Sequence, residues 1–240
     1  KVHTICVELP SGPDTAGDPT PMPVPKGFDY EMWLGPAPYA PYTKDRVHWN
    51  FRWILDYSGG MLTDWGAHLI DGAQWGNDSE YTGPVEVEGK GEFWRDGLYD
   101  TAKEYRIEYA YADGVRLIVT SGEPSLRFEG TEGWIGNIGW RGKLQAEPRG
   151  MLDSVIGPNE VHLYTCRGGE QRNFLDCVKS RKDCYFPPEI GHRCFTIAHI
   201  GNISMLLGRK LKWEPDKERF VNDEQANRML WRSMRSPWQL

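Results

Sequence analysis

Asp64 and His68 stand four residues apart in a run, Met61 to Trp75, whose apolar positions recur with helical spacing. On a helix, a carboxylate and an imidazole at i and i+4 are surface neighbours, so the acid can orient the ring and favour its charged form. Histidine gains and loses its charge near neutral pH, which suits it to move a proton to or from a substrate hydroxyl. Asp71 and Trp75 fall on the same stripe, and the indole offers a sugar ring an apolar platform. The same residues also describe a solvated helix face with an ordinary acid–imidazole pair worth a few tenths of a kcal/mol. Spacing by itself favours that plainer interpretation.

Other chemistries find less support. Glu189, His192 or His199 would supply a third ligand to a metal held by Asp64 and His68, and His192 and His199 share a helical face. No H-E-x-x-H or other ligand-dense motif accompanies them, so no metal ligand is assigned and a metal stays a minor alternative. No G-x-S-x-G elbow presents a nucleophile, and no cysteine lies in a catalytic context. The five cysteines form no C-x-x-C pair and are expected as thiols. Asn77-Asp78-Ser79 and Asn202-Ile203-Ser204 match a glycosylation acceptor pattern that is common by chance. Neither a dinucleotide fingerprint after a strand nor a phosphate-binding loop occurs; Gly89-Lys90-Gly91 lies inside an alternating segment.

The elements that must position Asp64 and His68 follow from periodicity. Leu62, Trp65, Gly66, Leu69 and Ala73 form the expected buried face of the Met61–Trp75 helix, which starts after Gly59-Gly60 and stops at Gly76-Asn77. Period-two alternation predicts strands at Lys1–Leu9, Glu86–Phe93, Glu104–Tyr111 and Val115–Thr120, the last two joined by Asp113-Gly114. Shorter ones follow at Leu126–Glu129 and Gly133–Trp140. From Val85 to Trp140 these read as an antiparallel meander. Gln171–Lys182, Ile190–Leu207 and Asn222–Arg232 read as helices. Ser11–Lys26, with five prolines, is an extended surface excursion, and Phe28–Tyr42 is either an ordered aromatic cover or a carbohydrate-facing wall. Grouped strands and grouped helices give an α+β fold class: a large, mainly antiparallel open sheet with helices packed on one face.

The 240 residues, 39% hydrophobic and 12% aromatic, suffice for a core without staples. A net charge of −6 supplies no positive field for polyphosphate, so nucleic acid is not expected as a partner. No apolar stretch approaches the roughly 20 residues that cross a bilayer, so no membrane partner is expected either. Lys1 in place of an initiator Met suggests a cut or processed chain, and the compartment, cytoplasmic or periplasmic, stays open.

Longer stretches resemble a known family. They are Phe28-Asp29-Tyr30-Glu31-Met32-Trp33-Leu34-Gly35-Pro36-Ala37-Pro38, Arg52-Trp53, and Asp56-Tyr57-Ser58-Gly59-Gly60-Met61-Leu62-Thr63-Asp64-Trp65-Gly66-Ala67-His68. Further along come Asp96-Gly97-Leu98-Tyr99-Asp100-Thr101, Glu129-Gly130-Thr131-Glu132-Gly133 and Arg235-Ser236-Pro237-Trp238. Together they resemble the glucose-fructose oxidoreductase, inositol dehydrogenase and rhizopine catabolism family, Gfo/Idh/MocA. Members join an N-terminal Rossmann domain binding NAD or NADP to an α/β domain that shapes the substrate pocket and builds oligomers. Residues 1–240 resemble the second part only, a single substrate-binding and oligomerisation domain. The cofactor turn and the family's Glu-Lys-Pro segment have no counterpart.

The resemblance implies that Asp64 and His68 face the pocket, with His68 as general acid/base and Asp64 holding its tautomer. This overturns the preference drawn from spacing. It also implies substrate contacts from Trp33, Arg52, Tyr57 and Tyr99, each of which packing or loop anchoring would explain as well. The function so implied is the substrate-binding and catalytic half of an NAD(P)-dependent sugar or polyol oxidoreductase, homo-oligomeric through its open sheet and paired with a Rossmann domain in cis or in trans. Two alternatives stay open: an NAD-independent lyase, hydratase or isomerase on keto-sugars, with or without a metal, and a non-catalytic carbohydrate-binding or dimerisation module.

Overall fold

The computed structural model describes residues 1–162 and 166–239. Its frame is a nine-stranded sheet. The strands are β1 (Val2–Leu9), β2 (Glu86–Glu92), β3 (Glu104–Ala110), β4 (Arg116–Ser121), β5 (Ser125–Gly130), β6 (Gly133–Ile138), β7 (Leu144–Glu147), β8 (Leu211–Glu214) and β9 (Arg219–Phe220). They lie in the order β7-β6-β5-β1-β4-β3-β2-β8-β9. All neighbours are antiparallel except β1 and β4.

The expected single meander is therefore two meanders, β2-β3-β4 and β5-β6-β7, with the N-terminal strand wedged between them. Ile5, Val7 and Leu9 alternate toward the core and are buried there. At the β3–β4 hairpin, Gly114 takes φ +89° and the Asp113 carboxylate accepts from the Val115 N–H, as the Asp-Gly signal requires.

Among the described residues six α-helices accompany the sheet: α1 (Tyr30–Leu34), α2 (Met61–Asp64), α3 (Gly66–Gly76), α4 (Glu170–Ser180), α5 (Pro188–Leu207) and α6 (Glu224–Arg228). Helices α3 and α5 pack on one face of the sheet and against each other. Their Leu69, Ile70, Ala73, Ile197, Ile200 and Ile203 meet Val87, Tyr105, Ile107, Tyr109, Leu117 and Val119 of the strands. Each such fully buried aliphatic chain contributes about 1.5–3 kcal/mol. Gly201 leaves room beside α5 for Tyr109, whose hydroxyl donates to the Ile197 carbonyl at 3.0 Å.

The opposite face is uncovered and polar. Arg106, Glu108 and Arg116 form an ion-paired row there, and Arg127 pairs with Glu129. A face of this kind tolerates water, so apolar exposure gives no reason for a partner on it.

Three sequence-predicted elements change. The Met61–Trp75 helix divides at Trp65 into α2 and α3, although Trp65 keeps helical φ and ψ. The Trp65 carbonyl there accepts from both the His68 and Leu69 N–H groups, the sharing of a tightened turn. The Asn222–Arg232 helix shrinks to α6, because Asn227 bonds both backbone groups of Phe220 and the following chain returns to Pro36 and Ala37 through Arg235. The aromatic stretch after residue 28 is a cover: Tyr30, Leu34, Tyr42 and Val47 build a small core of their own. No helix among the described residues is long and apolar enough to cross a membrane.

Candidate active site

Gly59 and Gly60 bring three segments together ahead of α2. Gly60 takes φ +70°, and a Cβ there would lie 2.8 Å from that of Thr101. A Cβ on Gly59 would meet Asn202, whose amide donates to the Gly59 carbonyl at 3.3 Å. The close approach fixes the start of α2 against α5 and against the loop ahead of β3. Asp64, one turn on, and His68, at the start of α3, inherit that fixed origin.

The Asp64 carboxylate is held by Arg52. Nη1 of the arginine lies 2.7 Å from Asp64 Oδ2, and the two side chains are 10% and 36% exposed. The guanidinium also stacks on Trp49 at 3.8 Å from the ring centroid. Arg52 Nε is buried without a partner among the described residues. Arg52 is therefore a positioning residue, which the sequence brought forward only as a substrate contact.

His68 is exposed, and its ring faces Trp65 and Trp140, with centroids 6.1 Å and 5.3 Å away. The two indoles meet edge to face at 5.0 Å. No hydrogen bond engages the His68 ring nitrogens among the described residues. Among the described residues the expected hold of Asp64 on the His68 tautomer has no hydrogen bond behind it: the Asp64 carboxylate is clamped by Arg52, and Asp71 is the carboxyl that His68 influences. Burial pushes the Asp71 carboxyl above its ordinary value, and His68 partly offsets this.

Trp65, assigned from periodicity to the buried stripe, is only half-buried and borders the His68 ring. Trp140 was missed altogether as a site residue. It sits beyond the end of β6, and nothing in its local pattern shows that the β6–β7 turn reaches back over α3. Trp75 is exposed, but the indoles beside His68 are those of Trp65 and Trp140.

The remaining substrate candidates separate. Trp33 and Tyr57 meet edge to face at 5.0 Å and line a cavity of about 490 Å³ with Asp56 and the segment Leu230–Met234. That lining includes neither Asp64 nor His68. Tyr57 also accepts a hydrogen bond from Arg46 at 3.1 Å. Tyr99 is 5% exposed, donates to the Asp45 carbonyl at 3.3 Å and packs on Gly17, so it anchors a loop and does not line a pocket rim. Burial raises its phenol to about 12.

No three His, Cys, Asp or Glu side chains converge on a metal position among the described residues. Glu189 pairs with Arg193 and His192 with Glu218, while burial lowers the pKa of His199. Asn202 is buried within α5, which closes that acceptor pattern to a glycan. All five cysteines are free.

The start of α2 does not offer the pyrophosphate cradle that a nicotinamide dinucleotide would use. That pyrophosphate needs open backbone N–H groups at a helix start that follows a strand. The N–H groups of Gly59 and Gly60 are already bonded to Thr63 and Arg52. The one parallel strand pair, β1 and β4, is joined through helices and two further strands, not by a single crossover helix.

A family profile described as the C-terminal alpha/beta domain of an oxidoreductase family, of the Gfo/Idh/MocA group, matches residues 16–240. Among solved structures, aldose-aldose oxidoreductase from Caulobacter crescentus, complexed with glycerol, is 14% identical at TM-score 0.55, over 88% of this chain and 55% of its own. WlbA dehydrogenase from Bordetella pertussis, in complex with NADH and UDP-GlcNAcA, is 10% identical at TM-score 0.55, over 89% and 55%. GenD2 from gentamicin A biosynthesis, in complex with NAD, is 16% identical at TM-score 0.53, over 89% and 56%. At these identities the likeness is one of fold, and the chain spans just over half the length of each. No curated protein sequence matches it.

Proposed function

Because the chain belongs to the Gfo/Idh/MocA oxidoreductase family through its C-terminal alpha/beta domain, we propose that it is the substrate-binding and catalytic half of an NAD(P)-dependent sugar or polyol oxidoreductase. Residues 1–240 act as one substrate-binding and oligomerisation domain. The observation that carries this reading is the pairing of an uncommitted, exposed imidazole with a carboxylate clamped on a nearly buried arginine, one turn apart at the α2–α3 junction.

His68 takes the proton of the substrate hydroxyl that becomes a carbonyl, or returns it in the reverse direction. Asp64 presents Oδ1 to a neighbouring hydroxyl while Arg52 holds Oδ2. The Trp140 indole, 44% exposed, receives the C–H face of the sugar ring. A Rossmann unit in cis or in trans contributes the NAD or NADP that accepts the hydride. Sugar and polyol substrates are supported by the glycerol and UDP-GlcNAcA bound to the two relatives of like fold. Homo-oligomerisation through the open sheet rests on the family resemblance.

The test is His68→Gln in the chain joined to its Rossmann unit. In the oxidising direction the substitution lowers kcat by about 10²–10⁴-fold and removes the acidic limb of the pH profile, where a protonated His68 stops accepting the proton, with KM changed far less. Unaltered turnover and pH profile would refute the role of His68.

A further inference from the structure

Helix α4 buries none of its residues, and Phe174 and Leu175 are more than half exposed. Its C-terminal turn is tied to the segment that leads into α5. Cys177 Sγ donates to the Asp183 carbonyl at 3.3 Å, and Asn173 Oδ1 accepts from the Tyr185 N–H at 3.0 Å. The Asn173 amide also reaches Cys177 Sγ at 3.7 Å. Cys184 lies between the two tied residues. A carbonyl oxygen sits about 2.8 Å from the next Cα across a trans peptide, so Cys177 Sγ lies within about 6 Å of the Cys184 Cα. The Cys184 thiol is itself a neighbour of that sulfur, the juxtaposition from which a disulfide closes. Arg181, the α4 cap in the left-handed region at φ +58°, turns the chain back toward its own helix.

We propose that Cys177 and Cys184 form a modification site, a dithiol that closes to an intramolecular disulfide by exchange with a small-molecule disulfide of the glutathione class. One thiolate attacks a sulfur of oxidised glutathione, forming a mixed disulfide and releasing one reduced glutathione. The second thiolate then attacks the protein sulfur of that adduct and releases the other. The chain loses two protons and two electrons, and the glutathione disulfide gains both. The closed form ties α4 covalently to the turn entering α5, an attachment otherwise made by exposed hydrogen bonds. The remaining thiols are placed apart from this exchange: Cys194 is 3% exposed in the helix layer, Cys6 lies on the sheet opposite Arg127, and Cys166 precedes the other end of α4, its carbonyl accepting from the Gly169 N–H. Burial, and after it the neighbouring Cys184 thiol, raise the Cys177 pKa, so the exchange speeds up as the pH rises.

Incubation of the full reduced chain with oxidised glutathione, followed by alkylation and tryptic mapping, tests this. Lys179, Arg181 and Lys182 separate the two cysteines, so cleavage leaves Cys177 in peptide 173–179 and Cys184 in peptide 183–193, joined only by the disulfide. The expected result is a fall in titratable thiols from five to three, with these two peptides linked until reduction. Cys177→Ser and Cys184→Ser each abolish the link and leave the surviving cysteine as a glutathione adduct. Five thiols remaining, stable adducts on both cysteines of the parent, or a link from either to Cys166 would overturn the proposal. So would equal rates of linkage in the folded and urea-unfolded chain, which would assign the pairing to sequence proximity and not to the fold.

Discussion

Arg52→Met removes the cation that holds Asp64 and leaves the carboxylate at the helix junction without its counter-charge. Stripping one partner from a fully buried pair costs about 3–5 kcal/mol, whereas exposed pairs are worth about 0–1 kcal/mol. Arg52 is at the buried end of that range and Asp64, 36% exposed, nearer the middle, so a loss of about 2 kcal/mol is expected. For a domain of this size that corresponds to a fall in Tm of about 4–8 °C. Asp64→Asn costs less, because it spares the stack of Arg52 on Trp49, itself worth about 0.5–1 kcal/mol. Urea unfolding of both single variants and the double variant, followed by tryptophan fluorescence, closes a thermodynamic cycle. A coupling of about 1–2 kcal/mol that persists in high salt is expected, since partly buried pairs are weakly screened. Additive single-variant losses, within about 0.3 kcal/mol, would show that Arg52 does not position Asp64, and the clamp would have to be abandoned.

Gly60→Ala combines left-handed strain of about 1–2 kcal/mol with a Cβ contact on Thr101, and is expected to lose about 2–4 kcal/mol. Gly114→Ala, also at positive φ but with open space around its Cβ, carries only the strain; chemical denaturation that ranks the two equally would count against the packing role of Gly60. Asp71→Asn reports the half-buried carboxyl that His68 influences. Its folded pKa lies above the ordinary 3.8, so the folded state binds the proton more tightly and stability falls as the pH rises through the folded pKa. The variant is expected to unfold at higher temperature than the parent at neutral pH, with the gain vanishing below the ordinary value; a gain confined to acid pH would reverse the assigned sign.

Strand positions were legible because each alternating run has one buried face: Val87, Ile107 and Val119 sit where period two places them. The order of the strands was not, because Lys1–Leu9 carries no local sign that it inserts between β4 and β5. Strands β7, β8 and β9, at two to four residues, are too short to show a period. At the site, the spacing of Asp64 and His68 and their flanking glycines was legible, and the Arg52 clamp was not. Its partners are twelve residues apart and lie on different elements, so only the turn at Gly59–Gly60 makes them neighbours. Trp140 was hidden for the same reason, its partner His68 lying far back in the chain. Tyr99 erred in the other direction, since a tyrosine in a loop motif looks like a ligand contact until burial shows its hydroxyl bonded to backbone.

On the function proposed above, the different surroundings of Asp64 and His68 answer the different demands of orienting and of proton transfer. A carboxylate that receives one hydroxyl of a sugar must hold its place before the substrate arrives, or binding would have to supply the ordering. Asp64 meets that demand through an arginine that is nearly buried, stacked on one indole and anchored on a short 3-10 helix. A proton carrier needs the reverse: ring nitrogens free of internal partners and a route to solvent. Among the described residues His68 has both, and the rings of Trp65 and Trp140 flank it without engaging its nitrogens. Exchanging the environments would defeat both roles, because an arginine over His68 would oppose its protonated form and an unclamped Asp64 would rotate in water. The i, i+4 spacing that drew attention to the pair therefore matters less as a contact between them than as a ruler, setting a fixed acceptor and a free base about one helical turn, roughly 5.4 Å along the axis, apart.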